Sequence, residues 1–394
     1  MKNRGIWPDQ YTFAPLLKSC SQLSDPRLGR GVHAEALTGG FESHTSVQIG
    51  LIELYVNCGR MEDAQQLFDN MPTREVVAWN LMIRGFCRGG DADSGIFLFR
   101  QMGERSIVSW NSMIAGFAQA GRDGEALGLF QEMLDAGLEA DDATLVTVLP
   151  VCARLGSLDV GRWIHAYADG KGLLKEFATV GNSLVDMYCK CGDLAGAQAC
   201  FCEMSQRNVV SWNAMISGLA FNGRGELGID MFRNMMQEGI KPDASTFMGV
   251  LGCCTHAGLV QTGRELFDSM IKEHKIEPRP EHYGCMVDLL GRHGHVKETY
   301  GLIRSMPMKA NAAIWGALLS ACRIYGDLDT AEYAAKELVH LEPWNSGNYV
   351  LLSNIYAEAE RWDDVEKVRV LMREMSVQKA PGQSMVESCD YLAC

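Results

Sequence analysis

Three stretches of this chain, VVAWNLMIRGFCRGG (76–90), IVSWNSMIAGFAQAG (107–121) and VVSWNAMISGLAFNG (209–223), are close variants of one phrase. Each places apolar residues at three-and-four spacing and stops at a glycine, which reads as a helix closed by a residue able to take positive φ. The glycine recurs outward in both directions as Gly59, Gly90, Gly121, Gly156, Gly192, Gly223, Gly258, Gly294 and Gly326, at intervals of 31, 31, 35, 36, 31, 35, 36 and 32 residues. Five residues after it stands a small residue in most units: Ala64, Gly95, Ala126, Gly161, Ala197, Gly228, Gly263 and Ala331. A second apolar helical run follows, as in EALGLFQEM (125–133), and signals such as GIKPD (239–243) or Met71-Pro72 close the unit. The pattern predicts helical hairpins, each unable to bury its own apolar face and therefore stacked on its neighbours.

The chain has 394 residues, 47% of them hydrophobic, and a formal net charge of −13. That content is enough for a large core, which a repeat array spreads along its length. No run of eighteen or more apolar residues occurs, which argues against a membrane span. The opening MKNRGIWPDQYTF starts inside the tail of a unit, since GIWPD matches GIKPD, so residues 1–9 are expected to be the end of a truncated repeat.

Fourteen cysteines raise disulfides and metal as alternatives. Their register favours packing: Cys20, Cys152, Cys254 and Cys322 share the eleventh position of their units, and Cys58 and Cys191 precede the turn glycine. No two cysteines stand in C-x-x-C spacing, so no metal site and no cofactor is expected.

The phrases VVSWNAMISG, NSLVDMYCKCG, HAGLVQTGRELFDSM, EHYGCMVDLLGR and SGNYVLLSNIYAEAERWDDV, with unit lengths near 35, 36 and 31, resemble the plant pentatricopeptide repeat family, in its subclass of P, L and S repeats with an E-type C-terminal extension. The resemblance implies an all-α fold, a right-handed α-solenoid of stacked helix-turn-helix repeats. On its register the repeats are 10–44, 45–75, 76–106, 107–141, 142–177, 178–208, 209–243, 244–279 and 280–311. Two degenerate E-type units, 312–345 and 346–378, and a tail, 379–394, follow. In the tail PGQSMVES (381–388) departs from the usual PG-x-SW, and in the last unit Glu360 replaces the turn glycine.

Such proteins resemble one another in binding single-stranded organellar RNA and marking cytidines for conversion to uridine. The family's deaminase needs an H-x-E and a P-C-x-x-C to hold zinc. Here the H-x-E His33-Ala34-Glu35 has no C-x-x-C partner, so the two residues read as ordinary helix residues and no catalytic residue is expected. The implied role is a specificity factor rather than an enzyme. Its implied partners are RNA, a trans-acting DYW-type deaminase and multiple organellar RNA editing factors, in a plant organelle, with the mitochondrion placed ahead of the chloroplast.

The resemblance also assigns base reading, one base per repeat, to the fifth and last residues of each unit. Four units carry polar pairs there: Asn80 with Ser106, Asn111 with Asp141, Asn182 with Asn208, and Asn213 with Asp243. The family code gives cytidine, uridine, either pyrimidine and uridine in turn. Carboxylates ordinarily accept from the cytosine amino group, so an aspartate that favours uridine is expected to orient the asparagine or act through water. Val77, Val108, Thr179 and Val210, second in those units, would sandwich bases. The other units, with Ala14 and His44, Ile49 and Glu75, Val146 and Phe177, Met248 and Arg279, and Gly284 and Asn311, offer no standard pair. The expected site is 5′-N-N-C-U-N-Y-U-N-N-3′.

Arg88, Lys190 and Arg292 share the thirteenth position and are either phosphate contacts or solvated turn residues. Trp79, Trp110, Trp212 and Trp315 precede the fifth position or its equivalent, and a helix turns them towards its neighbour, which predicts core rather than base stacking. The acidic balance opposes binding to phosphates. It suits the main rival reading, a peptide-binding scaffold of the tetratricopeptide kind, but that family keeps a period close to 34. A role in splicing or transcript stability is the other alternative. An internal enzyme site finds no motif.

Overall fold

In the computed structural model, residues 8–23 and 25–375 are described; the expectations for residues 1–7 and 379–394 lie outside them. The chain divides into two compact units, Met1–Gln206 and Arg207–Cys394. The first holds α1 (Gln10–Leu23), α2 (Pro26–Thr38), α3 (Thr45–Asn57), α4 (Met61–Asp69), α5 (Val76–Arg88), α6 (Ala92–Gln101), α7 (Ile107–Gln119), α8 (Asp123–Asp135), α9 (Asp142–Leu155), α10 (Leu158–Gly170), the single turn α11 (Leu173–Glu176), α12 (Ala178–Lys190) and α13 (Leu194–Glu203). The second holds α14 (Val209–Phe221), α15 (Gly225–Gln237), α16 (Ala244–Ala257), α17 (Val260–Lys272), α18 (Pro280–Arg292), α19 (Val296–Ser305), α20 (Ala312–Tyr325), α21 (Leu328–Leu341), α22 (Ser346–Glu358) and α23 (Trp362–Glu374). Among the described residues there is no strand, and each unit is an α-solenoid of stacked hairpins.

Within the first unit the first helices α1, α3, α5, α7, α9 and α12 pack side by side, each on the next. Each second helix lies against its own first helix and the first helix of the following repeat, as α6 does on α5 and α7. In the second unit α14, α16, α18 and α20 stack in the same way, with α15, α17 and α19 behind them. The interface between the two layers is apolar. Leu51, Ile52, Met82, Ile83, Met113 and Ile114, or in the second unit Val250, Leu251, Val287 and Leu318, are fully buried. Burial of side chains of this size is worth roughly 1.5–3 kcal/mol each, which ties every hairpin to its neighbours.

The turns form as the sequence dictates. All nine glycines that set the period have positive φ, between 63° and 83°. At Gly90 the geometry is that of a Schellman turn: Gly90 N donates to Cys87 O at 3.1 Å and Asp91 N to Phe86 O at 3.0 Å. The small residues five positions on are all buried in the crease where a second helix meets two first helices. A Cβ on Gly161, Gly228 or Gly263 would collide with Met187, Cys253 or Leu289 of the next first helix. In the repeat that breaks this rule the residue is Thr299, fully buried, whose hydroxyl donates to His295 O at 2.9 Å.

Cys20, Cys152, Cys254 and Cys322 are buried as packing residues, while Cys58 and Cys191, beside the turn, are partly exposed. Trp110, Trp212 and Trp315 are likewise buried, whereas Trp79 is half-buried. Trp79 stands edge-on to Phe68 and Trp110 edge-on to Phe99, each with ring centroids 4.8 Å apart, so these rings serve the helix interface rather than an open stacking surface.

Candidate nucleic-acid interface

The last residue of a repeat has a second identity here: it is the N-cap of the next first helix. Ser106, Asp141, Asn208 and Asp243 all adopt extended φ and ψ and accept from the backbone N–H three residues on. The residue at that third helical position, Ser109, Thr144, Ser211 or Thr246, is fully buried and closes a capping box by accepting from the cap's own N–H. Asp9 and Thr12 repeat the motif ahead of α1, and Asn311 caps α20. His44, Glu75 and Phe177, from the units without a standard pair, occupy the same place without a side-chain cap.

Two of these caps reach back to the preceding first helix. Asn111 Nδ2 donates to Asp141 Oδ1 at 3.2 Å, and Thr144 Oγ1 lies 2.8 Å from Asn111 Oδ1 and 2.7 Å from Asp141 Oδ1. Asn213, Asp243 and Thr246 form the same triangle, with 3.0, 2.6 and 3.0 Å for the equivalent distances. The threonine hydrogen is shared between the amide and the carboxylate oxygens. One N–H and one lone pair of each asparagine are thus tied, and the amide is left with one donor and one acceptor in a fixed sense. Burial raises the Asp141 carboxyl's pKa, but the Thr144 and Asn111 hydrogen bonds outweigh it and leave it below the ordinary value; Asp243 is lowered in the same way by Thr246 and Asn213.

The other two pairs are not tied. Ser106 bonds to Ser109, and Asn80 Oδ1 is buried with no partner. Asn182 is 9% exposed, and its Oδ1 also lacks a partner. Asn208 spends its own Oδ1 on Val210 N and Ser211 N.

The residues expected to touch bases stand clear of the core. Val77, Val108 and Val210 are 52%, 60% and 52% exposed, unusual for valine on a helix with a buried opposite face, and Thr179 is exposed too. Val108, Asn111 and Asp141 line one cleft of about 360 Å³ together with Arg84, Cys87, Arg88, Ser112 and Gln119. Of the three candidate cations, Lys190 is held by Asp186 and Arg292 by Asp288, both at 2.8 Å, while Arg88 bonds to the neutral Asn57 carboxamide at 3.2 Å. A larger cleft, about 720 Å³, lies between the second helices α8 and α10 around Trp163; no residue singled out in the sequence lines it.

His33 bonds through Nδ1 to Tyr55 Oη at 2.8 Å, and burial lowers its pKa. His165 makes the equivalent bond to Tyr188 at 2.9 Å, so each histidine joins one repeat to the next. Sequence reading missed this pairing, and it missed Ser109, Thr144, Ser211 and Thr246. The signal for the latter was present as D-x-x-T, S-x-x-S or N-x-x-S at these four repeat junctions, the signature of a capped helix.

Comparison with known proteins matches the E motif over residues 325–387, the PPR repeat family over 105–154 and 207–256, and the PPR repeat over 50–76, 77–107, 182–209, 245–274 and 281–309. A pentatricopeptide repeat-containing protein of Arabidopsis thaliana is 61% identical over 99% of this chain and 80% of its own length. A second from the same plant, described as chloroplastic, is 37% identical over 98% of this chain and 48% of itself. A third, described as putative and mitochondrial, is 37% identical over 98% and 57%. The chain thus spans about half of some relatives and most of others. Among solved structures it is similar in fold to the pentatricopeptide repeat protein PPR10 from maize, at 18% identity and a TM-score of 0.56 over 96% of this chain and 61% of that one. PPR10 in complex with an 18-nt psaJ RNA element gives 0.58 over 94% and 61%, again at 18% identity. With repeat matches across both units, an E motif after them and a 61% identical relative covering nearly its whole length, this chain belongs to the pentatricopeptide repeat family of plants.

Proposed function

We propose that the protein binds single-stranded RNA in a plant organelle, one nucleotide per repeat, and marks a cytidine for C-to-U editing by a deaminase supplied in trans. The observation that carries the reading is the pair of identical triangles, Asn111–Asp141–Thr144 and Asn213–Asp243–Thr246, beside exposed valines. A cap needs only its own helix; the extra bond to the asparagine on the preceding first helix serves to hold an amide in one orientation. A locked amide beside an ionised carboxylate suits uracil, whose N3–H is a donor, and disfavours cytosine, whose N3 lone pair faces negative charge. Where the amide oxygen is untied, as in Asn80, it seeks a donor, and the cytosine N4 amino group is one. This supports the family code and supplies the physical reason that the residue types alone did not.

The RNA bound by maize PPR10 and the chloroplastic and mitochondrial relatives support RNA as ligand and an organelle as location. The E motif supports recruitment of the deaminase and accessory editing factors by the C-terminal units. The mitochondrion is placed ahead of the chloroplast, and the protein is read as recognition factor rather than catalyst. The formal charge of −13 favours a second reading, a peptide-binding scaffold. Binding to 5′-N-N-C-U-N-Y-U-N-N-3′ against a scrambled oligomer at two salt concentrations separates them. Asp141→Asn keeps the cap, as Asn208 shows, but removes the charge; a uridine preference unchanged at the fourth nucleotide would sink the register. Sequencing organelle RNA from plants lacking the protein is expected to show one or a few unedited cytidines. An unspliced or missing transcript with editing intact would instead place it in splicing or stability.

A further inference from the structure

We infer that Arg84 and Arg88 clamp one backbone phosphate of the RNA, at the step between the nucleotides facing Asn80 and Asn111; this rests on the RNA-binding reading above. The two arginines lie one helical turn apart on α5, at the ninth and thirteenth positions of repeat 76–106. Both line the cleft that also holds Val108, Asn111 and Asp141. No other repeat between residues 10 and 311 has a basic residue at both positions. In repeats 178–208 and 280–311 the ninth position is an aspartate, and it neutralises the thirteenth: Asp186 holds Lys190 and Asp288 holds Arg292, at 2.8 Å in each case. In repeat 142–177 the thirteenth residue, Arg154, is held by Asp123 at 2.6 Å.

Repeat 76–106 inverts this arrangement. Among the described residues neither Arg84 nor Arg88 is in an ion pair. Arg88 is steered by an uncharged group, Asn57 Oδ1 at 3.2 Å, which fixes its direction and leaves its charge intact. Arg84 Nε is buried with no partner at all. Two like charges at i and i+4 repel by a few tenths of a kcal/mol, so the free protein carries a local penalty that an anion would relieve. A phosphodiester oxygen pair offers bidentate acceptors of the geometry a guanidinium prefers. In a chain of net charge −13 the clamp supplies positive charge beside the Asn111 site and sets the phosphate register at the step between the third and fourth nucleotides.

The test compares wild type with Arg84→Gln, Arg88→Gln and the double variant, using the RNA given above and Arg154→Gln as a charge-matched control. Thermal melts and far-ultraviolet circular dichroism confirm that each variant is folded. Loss of one clamped phosphate is expected to cut affinity at 50 mM salt by roughly tenfold or more and to flatten the log–log salt slope by about 0.7. The preference for uridine over cytidine at the fourth nucleotide is expected to stay, and Arg154→Gln to change neither quantity. A single methylphosphonate at the step between the third and fourth nucleotides is expected to weaken wild type about tenfold and leave the double variant unaffected. Equal losses in the double variant and in Arg154→Gln, or a full methylphosphonate effect in the double variant, would overturn the clamp. RNA binding without base preference would overturn the nucleotide register instead and still leave the salt slope to decide on the arginines. No RNA binding by wild type would remove both.

Discussion

Asp141 caps α9 through Oδ1, which accepts from Thr144 N at 2.8 Å, and the same oxygen holds the Asn111 amide of the preceding first helix, α7, at 3.2 Å. One carboxylate therefore sets both where a first helix begins and how its neighbour's amide faces. Stability and recognition are coupled at each such junction, and Thr144 is the part that belongs to neither role alone. Thr144→Val keeps the volume and removes the hydroxyl that accepts from Asp141 N–H and contacts Asn111 Oδ1. Leaving buried groups unpaired is expected to lower stability by roughly 1–3 kcal/mol. Denaturant unfolding reads that loss, and RNA binding is expected to show a weaker uridine preference. A stability loss with preference intact would show that the threonine serves only the cap.

Acid should act on the same two junctions. Asp141 and Asp243 have carboxyls held below the ordinary value by their hydrogen bonds, so the folded state binds their protons less readily than the unfolded chain does. Their contribution is fully present above the unfolded pKa, about 3.9, and is lost as pH falls through the lower folded value. Between pH 5 and 8 neither group is expected to change stability. Below about pH 4 wild type is expected to lose stability faster than the Asp141→Asn, Asp243→Asn double variant, in which nothing titrates at these caps. Parallel curves for the two proteins in urea at pH 5, 4 and 3 would contradict the assignment.

The crease between hairpins gives a packing prediction. Gly228 sits where a Cβ would strike Cys253 Sγ, whereas the same register position elsewhere accepts Ala64, Ala126 or Ala197. Gly228→Ala is expected to destabilise by roughly 1–3 kcal/mol through overpacking, despite alanine's better helix propensity. Cys253→Ala in the same chain is expected to recover most of that loss, because it removes the obstructing sulfur. A double-mutant cycle with no coupling would show that the strain lies elsewhere.

How much of this was readable in advance follows from which features are local. The period, the hairpins, the turn glycines and the small residues of the crease are set by backbone conformation within one repeat and the volume at one position, and all appear in the sequence as periodicity. The asparagines and their partners were locatable, but their state was not. Asn111 and Asn80 share the W-N-x-M-I style of context, yet one amide is tied and the other is not, because the difference lies in a hydroxyl and a carboxylate about thirty residues away. The cations failed for the same reason. Arg88 and Arg292 occupy one register position, and only the neighbour at the ninth, Arg84 in one repeat and Asp288 in the other, decides whether the charge is available.

The last hairpin departs from the others at Glu360, which occupies the turn position with φ of 57°. Its hydrogen bonds are those of the glycine turns: Glu360 N donates to Ala357 O at 3.0 Å and Arg361 N to Tyr356 O at 2.8 Å, matching Gly90 and Asp91. The conformation is thus imposed by the Schellman turn rather than by the residue, and a side chain with a Cβ bears the left-handed strain, roughly 1 kcal/mol. Glu360 is exposed, so its removal leaves no cavity. Glu360→Gly is expected to stabilise the α22–α23 hairpin by about 0.5–1 kcal/mol, after the larger backbone entropy of glycine in the unfolded chain is set against the relief. Native-state hydrogen exchange of the amides of Leu352 to Val368 reads this locally, where a global melt of so long an array would dilute it. Faster exchange in the variant would mean that Glu360 makes a stabilising contact outweighing its strained backbone.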